Sequence, residues 1–254
     1  MISPYRYNDA WDHTISLFIK SHQPYKDYWS RSEKLALGIV KEYALKAPRN
    51  RFLDIGCGRG RLLPLFAPHF DTTIALEPDL FRSKAAALVA QGLRNVHVEN
   101  SYFEQSSETD FDFALCCHVL QHVPVGRQQA ILSRIGSVLK PGGLLAMITS
   151  HSMQPHDVFK LWCPEGSGVV EQPTDQTTFN ALASSGAGSV VPTHAFALQS
   201  LQASLSAFNI VHIHCFHALH RWNPTDLFFR DRWINWPRLQ GSFGIDVLLL
   251  ARKR

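Results

Sequence analysis

The 254-residue chain lacks a strong charge bias. Its 25 basic and 21 acidic residues leave a net +4, and no run of Lys or Arg occurs apart from Arg252-Lys253-Arg254. A nucleic-acid partner is therefore not demanded. It also lacks a cysteine framework: Cys57, Cys116, Cys117, Cys163 and Cys215 form no CxxC pair and no even set. Neither a disulfide scaffold nor a metal site is indicated, and a reducing, cytoplasmic setting is expected. No apolar run approaches ~20 residues and the N-terminus has no basic-then-apolar leader, so no membrane association is expected. Internal repeats, low-complexity tracts and a Pro/Ser/Gly linker are missing too. With 45% hydrophobic residues, the expectation is a single domain over 1–254 with insertions.

What is there centres on Arg51–Phe66, RFLDIGCGRGRLLPLF, which reads as a buried strand, a glycine-rich turn and the start of a helix. Gly56, Gly58 and Gly60 let the backbone turn sharply and approach a ligand without Cβ atoms in the way. The run Thr73–Leu76 then ends in Glu77, whose carboxylate suits two ribose hydroxyls, so that Asp54 and Glu77 frame a nucleoside at two strand ends. A dinucleotide fingerprint wants a sixth-position glycine where this chain has Arg61, which disfavours NAD.

Five pieces, LDIGCGRG at 53–60, LEPD at 76–79, ENSYF at 99–103, FDFALCCHVLQHV at 111–123 and LKPGGLL at 139–145, resemble in order and distance the class I S-adenosylmethionine (SAM) dependent methyltransferases. The resemblance covers roughly 51–150, with a weaker echo at the C-terminus. It implies SAM as cofactor and a small-molecule acceptor, and a role in the biosynthesis of a specialised metabolite is expected. The implied fold is a doubly wound, mostly parallel seven-stranded Rossmann-like sheet with an antiparallel last strand. Its cofactor residues map to Asp54, Gly56, Cys57, Gly58, Gly60, Glu77, Pro78, Asn100, Ser101, Cys117 and His118. Asn100 stands where many relatives carry Asp, at a strand end suited to adenine, with the Ser101 N–H beside it.

The parallel sheet is also legible without the resemblance. Helical patterns over Arg61–Phe66, Asp79–Gln91 and Gly126–Leu139 alternate with strand-like runs at Val96–Val98, Phe111–Cys117 and Leu144–Ile148. Functional groups in such sheets belong at strand C-termini. That rule points to His122 and His151 as proton acceptors, since imidazole titrates near neutrality. His122 matches a histidine that is a base in some relatives and structural in others, and both readings stand. His118 and His122, at i and i+4, share a face if the segment is helical, but a third metal ligand is not evident and no metal is expected.

Two flanking regions complete the reading. Residues 1–50 form an N-terminal helical cap with a helix over Ser32–Lys46, and its aromatics either reach the ligand or cover the sheet edge. Tyr25, Tyr28 and Trp29, with Trp162, are the substrate candidates, and Arg31 is a cation for the SAM carboxylate. The segment 151–195, rich in Gly, Ser and Pro, is expected to be a long lid-like loop. In the last part, 196–254, a helix and two strands flank an aromatic and arginine-rich connector, 218–243, suited to covering substrate or to a homodimer interface. The WNPT at 222–225 lacks the second proline and the aromatic of base-amine methylating enzymes. A methyltransferase for RNA or protein, and a SAM-binding protein without transfer activity, are the rival readings.

Overall fold

The computed structural model describes residues 7–22, 28–218 and 244–254. Tyr25 and the connector 219–243 lie outside the described residues, so neither the substrate role of the first nor the dimer role of the second is addressed. Among the described residues the main sheet has seven strands. They are β1 (Arg51–Ile55), β2 (Thr72–Leu76), β3 (Val96–Glu99), β4 (Phe111–Cys117), β5 (Leu139–Ser150), β9 (Phe208–Phe216) and β10 (Asp246–Lys253). Their order is β3-β2-β1-β4-β5-β10-β9. Strands β1 to β5 pair in parallel, and β10 runs antiparallel to both β5 and β9.

The strand sequences are apolar on both faces because helices cover both. In β4, Ala114 and Cys116 point into one core with Ile131, Leu132 and Ile135 of helix α5 (Val125–Val138). The alternate residues Phe113 and Leu115 point into the other, with Ala36 and Val40 of helix α2 (Tyr28–Lys46). Helix α3 (Leu63–Phe66) is a single turn after the glycine loop. Helix α4 (Leu80–Ala90) begins at its Asp79 cap, whose side chain accepts the Arg82 N–H at 2.8 Å.

The N-terminal cap contains two helices, α1 (Asp9–His22) and α2, the latter starting four residues before the expected Ser32. The larger departure is the 151–195 segment, which is not a loop. It folds as β6 (Val158–Glu165), β7 (Gly168–Thr174), helix α6 (Gln176–Ser185) and β8 (Val191–Ala195), the strands forming an antiparallel sheet in the order β7-β6-β8. Pro173 and Pro192, which argue against strands, sit in the two edge strands, where a missing N–H is tolerated. The segment leaves and rejoins the main sheet at one place: Phe196 N donates to Ser150 O at 3.0 Å, and Ser152 N donates to Phe196 O at 2.8 Å. Helix α7 (Leu198–Ser204) then leads to β9. Trp11, Leu17 and Phe18 of α1 pack with Trp162, Val169 and Val191 of the small sheet, so cap and insertion form one roof.

Candidate functional site

Beneath that roof, at the carboxyl ends of β1, β2 and β4, lies a cavity of about 790 Å³. One half is built by the glycine turn. Gly56 and Gly58 adopt φ of 68° and 59°. A Cβ on Gly56 would come within 2.5 Å of Val119 Cγ2, and one on Gly58 within 2.6 Å of Arg82 Nη2. Gly60 has a different task. A Cβ there would meet Ala86 Cα at 3.0 Å and Leu63 Cδ1 at 3.1 Å, so it allows α3 to pack on α4 and does not line the cavity.

Glu77 is buried at the end of β2, its two oxygens accepting the Gly58 N–H at 2.9 Å and the Asp79 N–H at 3.0 Å. Burial raises its carboxyl above the ordinary range despite Arg82 and those two donors. Asp54 is pushed further, to about 7, by burial and then by the Glu77 charge, with Arg61 opposing. Its Oδ2 is buried with no hydrogen-bond partner, and so is Ser101 Oγ. Both residues, with Cys57, Pro78, Cys117 and His118, line the cavity. Asn100 does not. Its Nδ2 donates to the carbonyls of Glu77 (3.0 Å) and Pro78 (2.9 Å), so the amide fixes the turn that carries the acid.

The other half lies between aromatic walls. Trp162 stacks on Phe18 with centroids 3.9 Å apart, and Trp29 stacks on His217 at 3.7 Å. Both tryptophans line the cavity, whereas Tyr28, the buried first residue of α2, and Arg31 do not. Trp162 Nε1 and Thr193 Oγ1 are buried polar atoms of this wall without partners. Lys160 and Glu171 neutralise each other across β6 and β7 at 3.1 Å.

The histidines separate by environment. His118 takes a left-handed φ of 55°, and only a three-residue 3-10 turn, Leu120–His122, follows it, so His118 and His122 share no helical face. His122 Nδ1 donates to Pro192 O at 2.8 Å and its Nε2 faces Gln121 Nε2 at 3.2 Å. Both nitrogens are engaged, and burial pushes the ring down to about 4. That environment pins the ring between Pro192 and Gln121. His151 donates from Nδ1 to Gly244 O at 2.8 Å, which leaves the lone pair on Nε2. Nearby Asp246 would be raised by burial, but the charge at His118 and the hydrogen bond from His217 Nδ1, at 2.7 Å, outweigh it and hold the carboxyl below its ordinary value. Sequence reasoning missed Asp12, Arg82, Gln121 and Asp246, all on the cavity wall. Only Arg82, three residues past the Asp79 cap and thus turned back toward Glu77, left a usable signal.

A family model described as a methyltransferase domain matches residues 28–184. The ubiquinone biosynthesis O-methyltransferase of Bradyrhizobium sp. (strain ORS 278) is 35% identical over 102 residues, which is 39% of each chain. That of Escherichia coli O7:K1 is 28% identical over 117 residues, 44% of this chain and 48% of its own. The chain thus spans less than half the length of these curated relatives. Among solved structures, the Burkholderia thailandensis 1,6-didemethyltoxoflavin-N1-methyltransferase, with 1,6-didemethyltoxoflavin and S-adenosylhomocysteine bound, superposes with a TM-score of 0.58 at 17% identity, over 100% of this chain and 93% of its own. The N-methyltransferase NodS of Bradyrhizobium japonicum WM9, in complex with S-adenosylhomocysteine, gives 0.57 at 13%, over 97% and 99%. At such identities the structures speak for the fold. Together with the glycine turn, the buried Glu77 and the sheet order, the family match establishes that the chain belongs to the methyltransferase-domain family, the class I fold that uses SAM.

Proposed function

We propose that this protein, acting as one unit over 1–254, transfers the methyl group of SAM to a small-molecule acceptor in the making of a specialised metabolite. The residues present fit that cofactor. Glu77 offers a buried carboxylate for the ribose hydroxyls, Ser101 an unpartnered hydroxyl on the same cavity wall, and Asp54 Oδ2 an unpartnered acceptor for the amino group. The glycine turn leaves room for close backbone approach. When bound, SAM supplies an electrophilic methyl on a sulfonium and leaves as S-adenosylhomocysteine.

The chain's own part is alignment, exclusion of water and removal of a proton. Asp54, Cys57, Pro78, Cys117 and His118 bound the cofactor half. Trp29 and Trp162 form the flat walls against which an acceptor is held. His151, with its Nδ1 proton tied to Gly244 O, presents Nε2 as the base, and His122 holds Gln121 and the start of β8 in register.

The observation that carries the small-molecule reading is the pair of unpartnered polar atoms, Trp162 Nε1 and Thr193 Oγ1, buried under the roof. Such groups are satisfied by a ligand small enough to enter. The test has two stages. Calorimetry is expected to show S-adenosylhomocysteine binding at micromolar level or tighter, about −8 kcal/mol, and equal binding of NAD overturns the cofactor assignment. Methyl-labelled SAM is then offered with hydroxylated aromatic acids and aliphatic and aromatic amines, and in parallel with bulk RNA and with unfolded protein. Label in the small molecules supports the proposal. Label only in RNA or protein, or in nothing, sinks it.

A further inference from the structure

The Glu77 carboxylate is connected to the N-terminal cap through one side chain. Arg82, turned back from the first turn of α4, has its Nε 3.7 Å from Glu77 Oε2 and its Nη1 donating to Asp12 Oδ1 of α1 at 2.8 Å. The Tyr7 ring lies against the guanidinium, 3.9 Å from ring centroid to Cζ, and the Tyr7 hydroxyl donates to the same Asp12 oxygen at 2.8 Å. Arg59 Nε reaches the other Asp12 oxygen at 3.2 Å. The guanidinium lies directly over Gly58, as the 2.6 Å approach of a Cβ there shows. Arg82 lines the cavity, and its Nε is buried with no hydrogen-bond partner. A buried guanidinium N–H without an acceptor costs free energy that a ligand oxygen would recover. The ligand oxygens next to Glu77 are the ribose hydroxyls.

We propose that Arg82 is a second ribose-contacting residue, donating from Nε to a hydroxyl held on Glu77, and that Asp12 couples the docking of α1 to occupation of the nucleoside site. The proposal rests on the reading that the nucleoside sits on Glu77. Its consequence is that Asp12, a residue of the cap that acts on the nucleoside by holding Arg82, changes cofactor affinity. Binding and α1 docking are then linked, each strengthening the other by the same factor.

The experiment uses S-adenosylhomocysteine, adenosine and methionine as probes on the full chain. Arg82→Lys keeps the charge and removes Nε, and it is expected to weaken S-adenosylhomocysteine about tenfold or more, as for loss of a charged hydrogen bond. Asp12→Asn is expected to weaken it by roughly three- to tenfold, through the loosened hold on Arg82. Hydrogen exchange over Asp9–His22 should slow with S-adenosylhomocysteine or adenosine but not with methionine, and this protection should vanish in Asp12→Asn. Thermal unfolding of both variants serves as the folding control. Wild-type binding that is normal and unchanged in Arg82→Lys, or exchange in α1 indifferent to adenosine, overturns the proposal alone. Failure of the wild type to bind S-adenosylhomocysteine removes the cofactor reading beneath it, and the proposal with it.

Discussion

Gln121 Nε2 and His122 Nε2 face each other at 3.2 Å, and the neighbours of each residue fix which one donates. Gln121 Oε1 accepts the Ser150 N–H at 2.8 Å, so its amide must present NH₂ to the ring. His122 Nδ1 donates to Pro192 O, so Nε2 carries the lone pair. The contact ties β4, β5 and β8 together through a neutral imidazole. Removing the ring in His122→Ala strands a buried amide donor and the Pro192 carbonyl, a loss of roughly 1–3 kcal/mol read from urea unfolding.

The same ring sets a pH dependence. Its folded-state value, about 4, lies below the ordinary 6.5, so the unfolded chain binds the proton more readily. The stabilising contribution is present above pH 6.5 and is lost as pH falls toward 4, by an amount on the order of 3 kcal/mol at most. Unfolding free energies of wild type and His122→Gln, measured between pH 7 and 4.5, should therefore converge as the pH drops. Parallel curves would show that His122 takes up its proton in the folded state as easily as in the unfolded one.

Turnover separates the two histidines that the strand ends bring to the cavity. On the acceptor that takes up label, His151→Gln should lower kcat by ~10²-fold or more, and His122→Gln by less than about threefold once folding is controlled. The reverse order would restore His122 as the base.

For the cofactor half, Glu77→Ala should weaken S-adenosylhomocysteine by roughly 1.5–3 kcal/mol through loss of charge-assisted hydrogen bonds. An unchanged affinity in a folded variant refutes the ribose role of Glu77.

Asp54 makes cofactor affinity depend on pH. With its carboxyl raised to about 7, the residue is mostly protonated at pH 6, and a ligand ammonium must displace that proton. Affinity for S-adenosylhomocysteine should rise up to about tenfold from pH 6 to pH 8, with proton release at the lower pH seen by calorimetry in two buffers. In Asp54→Asn the profile should be flat, and a slope that persists there assigns the titration elsewhere.

The cofactor half was legible in the sequence because its chemistry is local. Gly56, Gly58 and Glu77 fall within one strand-turn-helix-strand unit, where spacing alone brings them together. The capping of α4 by Asp79 and the bounds of β4 were legible for the same reason. The roof was not, because its contacts span the chain: Trp11 meets Trp162 in one cluster, and Asp12 meets Arg82 across 70 positions. Periodicity also fails in the small sheet, whose edge prolines look like loop residues until the pairing partner is known. Gly60 and Asn100 show the opposite limit, since both fit the site motif and both serve the scaffold that holds it.

The closure of the insertion by two backbone hydrogen bonds, at Ser150–Phe196 and Ser152–Phe196, makes this part of the protein exchangeable. A segment whose ends already touch can be lengthened, shortened or replaced at small entropic cost and without moving the strands on either side. Trp162 and Thr193 travel with that segment, whereas Gly56, Gly58 and Glu77 stay behind on the main sheet. On the proposed reading, the cofactor groups stay on the main sheet while Trp162, one of the two tryptophan walls, can be traded with the cassette, so part of the acceptor pocket can change without disturbing the cofactor half.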